Sequence, residues 1–146
     1  MFDENFKERW QRLSLIEQLA NIGSEIYRAK MLLKKYTDNA DFTQTMQKDK
    51  NVDKADLTQT RQKNISAESA FYSAKSAPLE NSIIRVIELF NLTLSDPKNK
   101  ERLKEVARAK ELFLDAVYNG GKEYKTSLED LDKYFYQFAL IVSKNK

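Results

Sequence analysis

The chain has 146 residues, 25 Lys and Arg against 22 Asp and Glu, and a net charge of +3. It contains no Cys and no His. That excludes a disulfide framework, a thiolate zinc site, a cysteine nucleophile and every histidine-dependent triad or metal site. With charged residues at 32% and only three Gly and two Pro, turn residues are too few for a β-sandwich or barrel, and a helical fold is predicted.

The first ten residues, MFDENFKERW, are polar, with no basic segment leading into an apolar run. No signal peptide is expected there. No apolar stretch approaches the length of a membrane span, so a soluble cytoplasmic protein without membrane contact is expected. Trp10 lies ahead of the first capped helix and is placed over one end of the fold.

The first strong segment runs from Leu15 to about Lys35. Leu15, Leu19, Ile22, Ile26, Ala29 and Leu33 recur at spacings of four and three, which puts them on one helical face. Ser14 and Glu17 form a capping box at its start. Gly23 interrupts it at a cost of about 1 kcal/mol relative to Ala. Close approach of a neighbouring helix accounts for that position, with a ligand using the gap as the alternative.

Residues 36–64 are polar and contain a duplication. Ala40 to Lys48 (ADFTQTMQK) recurs 15 residues later as Ala55 to Lys63 (ADLTQTRQK). Two copies do not make a solenoid. The segment reads as a mobile or weakly helical linker, or as an arm that orders on a partner.

A second segment starts near Ser66, is interrupted at Pro78, and continues through Leu79, Ile83, Val86 and Phe90 to about Ser95. Asp96-Pro97 restarts the chain as helix cap and first helical residue. The third segment reaches Tyr118, with Leu103, Val106, Ala107, Phe113, Leu114 and Val117 on its buried side. Asn119-Gly120-Gly121 ends it. Ser127, with Asp130 three residues on, opens the fourth, whose inner face is Leu128, Leu131, Phe135, Phe138 and Val142. The pattern predicts one all-α domain over 1–146, an antiparallel four-helix bundle with a long polar connection between helices one and two.

Three strings carry a resemblance: Trp10 to Glu25 (WQRLSLIEQLANIGSE), Asp96 to Glu105 (DPKNKERLKE) and Lys133 to Phe138 (KYFYQF). Together they resemble a family of small bacterial all-helical proteins with no assigned activity. The resemblance covers both flanks of the chain and not residues 36–64. It implies one helical domain and supplies no catalytic residue. Where the family tends to carry a second Trp after the first helix's Arg, this chain reads Arg28-Ala-Lys-Met-Leu-Leu.

Three groups of side chains bear on function. Glu25, Glu88, Glu111 and Asp115 suit an all-carboxylate metal site or, as the plainer reading, ion pairs with Arg28, Arg85 and Arg108. Lys30, Lys34, Lys35, Lys98, Lys100, Arg102 and Lys104 suit a phosphate-binding face, or ordinary surface charge pairing at helical spacing. Tyr134, Phe135, Tyr136 and Phe138 cannot all face one core stripe. Tyr134 and Tyr136, with Trp10, are therefore the expected protein-interface residues. The leading expectation is a non-enzymatic interaction module without a cofactor, self-associating or bound to a protein. The alternative is an accessory nucleic-acid-binding bundle using the bases at 28–35 and 98–110.

Overall fold

The computed structural model describes residues 2–48 and 77–145, with side chains over 2–37 and 77–145. Every regular element among the described residues is helical. They are α1 (Glu4–Arg12), α2 (Leu15–Lys48), α3 (77–95), a 3-10 helix (Pro97–Arg102), α4 (Leu103–Tyr118) and α5 (Leu128–Lys144). The protein is all-α, and no helix among the described residues is long and apolar enough to cross a membrane. Backbone contacts divide the chain into two compact units, Met1–Lys30 with Ser82–Lys146 and Met31–Asn81, where length alone predicts one domain.

In the unit Met31–Asn81 the described residues continue α2 to Lys48 and belong to α3 over 77–81. The expected end of the first helix near Lys35 is therefore corrected. Neither Gly nor Pro occurs between Ser24 and Ala77 to stop it, and the first copy of the duplication lies in the helix. The second copy lies outside the described residues.

The other unit begins with a helix that apolar spacing does not reveal. Asp3 caps α1, its carboxylate accepting from the Phe6 amide at 2.8 Å. Phe2, Phe6 and Trp10 stack down one side, with ring centres 4.0 and 6.0 Å apart. The Ser14–Glu17 box then starts α2: the Ser14 amide donates to Glu17 at 2.8 Å and the Glu17 amide to Ser14 Oγ at 3.2 Å.

The core collects the periodic residues. Ile22, Ile26 and Ala29 of α2, Val86 and Phe90 of α3, Phe113 of α4 and Phe135 of α5 are fully buried. Phe90 stands edge-on to Phe135 at 6.0 Å and tilted against Phe113 at 6.3 Å, so three helices meet around one ring. Leu103, expected on the buried side, is exposed at the first position of α4. The six residues after Asp96 wind as a 3-10 helix, which shifts the α-helical register to start only at Leu103.

A buried polar network closes one end of this core. Gln18, fully buried, donates from Nε2 to the Trp10 carbonyl and to Asp96 Oδ2, both at 2.9 Å. Its Oε1 accepts from Asn99 Nδ2 at 2.9 Å. Asn99 also donates to the Thr93 carbonyl at 3.0 Å, and the Trp10 indole donates to Thr93 Oγ1 at 3.1 Å. Lys98 completes it with an ion pair to Asp96 and a 2.6 Å bond to the Gln11 carbonyl. Burial opposes ionisation of Asp96, but the bonds from Lys98 and Gln18 outweigh it and hold the carboxyl below its ordinary value.

Gly120 and Gly121 take positive φ of 64° and 76°, the left-handed ending that the sequence predicts. The Asp115 carboxylate holds the following loop by accepting from the Tyr124 amide at 3.0 Å and the Glu123 amide at 3.3 Å. The Ser127–Asp130 capping box then opens α5.

α5 crosses α2 at Gly23. A Cβ built there would stand 2.7 Å from Phe135 Cβ, an atom rigidly tied to the α5 backbone. Close helix approach therefore explains this glycine. Gly23→Ala gains about 1 kcal/mol of helix propensity, but overpacking a rigid contact costs about 1–3 kcal/mol. The expected result is a net loss of stability, seen as a lower urea midpoint at unchanged slope.

Candidate interaction surface

α5 carries more apolar surface than its core stripe uses. Leu128, Leu131 and Phe135 are buried. Tyr134, Tyr136, Leu140 and Ile141 remain 48, 60, 42 and 40% exposed. These four lie within two turns of the helix. Tyr134 is held edge-on by Phe135 at 5.3 Å and Phe138 at 5.5 Å, which fixes its ring at the surface.

Hollows flank this helix. A groove of about 590 Å³ lies between α2 and α5, walled by Ala20, Gly23 and Tyr27 on one side and Phe135, Tyr136 and Ala139 on the other. Small residues at the crossing leave this space. Asp132 also lines it, and its Oδ2 meets, at 2.7 Å, the Nζ of Lys30, which lies 5.2 Å from the Tyr27 ring centre. The bond to Asp132 raises the Lys30 pKa above its ordinary value. A second hollow, about 220 Å³, opens between Leu15, Leu19, Val106, Tyr134 and Phe138, with Arg102 and Glu105 also lining it.

Of the expected interface residues, Tyr134 and Tyr136 lie on this surface. Trp10 does not, and that expectation is corrected. It is 4% exposed, with its indole bonded to Thr93, so it closes the core. Tyr27 and Asp132 join the surface unannounced by the sequence. Only the crossing at Gly23 brings them together, and Asp132 stands 102 residues from Lys30.

The basic residues do not form one free set. Lys30 is paired with Asp132 and Lys98 with Asp96. Arg102 donates to both oxygens of Glu105 at 3.0 and 3.2 Å. Lys100 and Lys104 are exposed, and Lys34 and Lys35 are exposed in the unit Met31–Asn81. The carboxylates behave as ion-pair and hydrogen-bond partners. Glu25 Oε1 lies 3.6 Å from both Arg28 and Arg85, Glu111 accepts from the Tyr124 hydroxyl at 3.3 Å, and Asp115 holds its loop. No cluster of three or more acids, Cys or His placed to hold a metal occurs among the described residues.

The strings that carry the family resemblance have structural work to do. Trp10, Gln18, Asp96 and Asn99 form the buried network, Ser14 and Glu17 the cap, and Gly23 the crossing. Compared with family models, curated proteins and solved structures, the chain matches none.

Proposed function

We propose that this protein is a non-enzymatic helical interaction module that associates with itself or with a protein partner. One observation carries the reading: four large apolar side chains, Tyr134, Tyr136, Leu140 and Ile141, exposed together on α5. Scattered exposed apolar residues need no explanation, but four within two turns of one helix, with a hollow along each flank, mark an association surface. The reading includes an antiparallel four-helix bundle of α2 to α5. The order of neighbours along α2 and α5 supports it: Lys30 pairs with Asp132, Gly23 stands against Phe135, and Glu17 lines one hollow with Val142 and Ser143. A cytoplasmic location is proposed with it, on the cysteine-free sequence.

The second reading is nucleic-acid binding, favoured by the outward-facing Lys100 and Lys104. It requires affinity that falls steeply with salt. Size-exclusion chromatography with light scattering, at two salt concentrations and with a mixed-sequence oligonucleotide, separates the two. Association without the oligonucleotide, weakened at least tenfold by Tyr134→Ser with Tyr136→Ser, is the expected result. A monomer that recovers no protein in a pull-down overturns the interaction reading. A salt-sensitive shift with the oligonucleotide, lost in Lys100→Glu with Lys104→Glu, puts nucleic acid in its place.

A further inference from the structure

The outward face of α5 repeats every seven residues. Asp130, Gln137 and Lys144 form one line, Tyr134 and Ile141 a second, Lys133 and Leu140 a third, and all seven are exposed. Side chains seven apart on a helix stand almost directly above one another, drifting only about 20°. These three lines therefore make one continuous face. The charge of its central line, Asp130, Gln137 and Lys144, is antisymmetric about the middle. Asp130 and Lys144 lie equally far from Gln137 on opposite sides, about 10 Å each along the axis.

From this pattern we propose that α5 pairs with the α5 of a second copy of the chain, antiparallel, with the two-fold axis at Gln137. The proposal rests on the interaction reading above and specifies its partner. A two-fold contact sets each residue against its mirror position, so one patch must complement itself. This face does. Asp130 meets the partner's Lys144, and Lys144 meets the partner's Asp130. Gln137 meets the partner's Gln137, where two side-chain amides donate and accept reciprocally. Tyr134 faces the partner's Ile141, and Leu140 lies along the aliphatic stem of the partner's Lys133.

Charge also selects the direction. A parallel pair in register sets Asp130 against the partner's Asp130 and Lys144 against the partner's Lys144, which repels at both ends. The face is one helix wide. It falls short of the ~800 Å² per partner typical of a stable complex. Exchange between monomer and dimer in the micromolar range is therefore expected, in place of a permanent dimer.

Sedimentation velocity across that concentration range, with helicity followed by circular dichroism, tests the proposal. Lys144→Glu touches no helix cap and sets an acid against the partner's Asp130 twice, so association should weaken at least tenfold. Asp130→Lys should weaken it likewise. An equimolar mixture of the two variants should associate as the parent does, because each clash becomes an opposite pair. Asp130 also caps α5, so a second variant keeps the test open if Asp130→Lys loses helicity. The chain has no cysteine, and Gln137→Cys should give a disulfide-linked dimer on mild oxidation while Lys104→Cys stays monomeric. A dimer that persists in Lys144→Glu, or that fails to cross-link through position 137, overturns the α5 pairing and leaves the interaction reading standing. A parent chain that remains monomeric but recovers a different protein overturns self-pairing alone.

Discussion

Gln18→Leu is expected to lower stability by about 4 kcal/mol, although leucine matches the volume and suits a buried helix position. The Gln18 amide makes three bonds, to the Trp10 carbonyl, Asp96 and Asn99. A buried neutral hydrogen bond contributes about 1 kcal/mol net, and one to a charged group about 2 kcal/mol. Leucine loses all three while its partners stay buried. Urea unfolding should show the loss as a lower midpoint at unchanged slope. The pH dependence identifies the cause. Asp96 has a depressed folded pKa, so its contribution is complete above the unfolded value near 3.8 and is lost as pH falls through the folded value. Without the Gln18 bond the folded pKa rises toward the ordinary value. The gap between variant and parent should therefore narrow below about pH 4. A gap independent of pH would assign the loss to shape alone.

Phe90→Ala should cost about 3–5 kcal/mol, the range for emptying a fully buried aromatic site. Phe90 is in ring contact with both Phe113 and Phe135. The cavity would thus open where α3, α4 and α5 converge, and no single helix can move to fill it. Phe90→Leu keeps most of the volume and should cost about 1–2 kcal/mol. Thermal or urea unfolding of the two variants gives the comparison. Equal losses would mean that ring stacking, and not volume, holds the three helices.

The signals that fixed helix ends were local, and those were legible. Ser14–Glu17, Asp96-Pro97, Asn119-Gly120-Gly121 and Ser127–Asp130 each act within a few residues, and each does in the structure what its chemistry predicts. α1 escaped because only Phe6 and Trp10 mark its inner side; its signal was Asp3 three residues ahead of Phe6. The buried network escaped for a different reason. Apolar periodicity looks past Gln18, Thr93 and Asn99, and their partners lie up to 83 residues away. The same distance effect hid the pairing of Lys30, whereas the surplus of aromatic residues on α5 was visible because it lies on one helix.

α1 is anchored by little. It buries one side chain, Trp10, and is tied to the rest of its unit by the indole bond to Thr93, the Gln18 bond to its carbonyl and the Lys98 bond to Gln11. The free energy to release it is therefore smaller than that to melt the aromatic core around Phe90. Stability is graded along the chain: the amino-terminal hook opens first, as a local fluctuation. Each opening breaks the indole bond to Thr93 and the Gln18 bond to the Trp10 carbonyl, and exposes that end of the polar network to water. Amide protons of α1 thus report a breathing motion that the core helices do not share, and a protease that samples this state meets the junction at Leu13-Ser14 before any other described part of the unit comes apart.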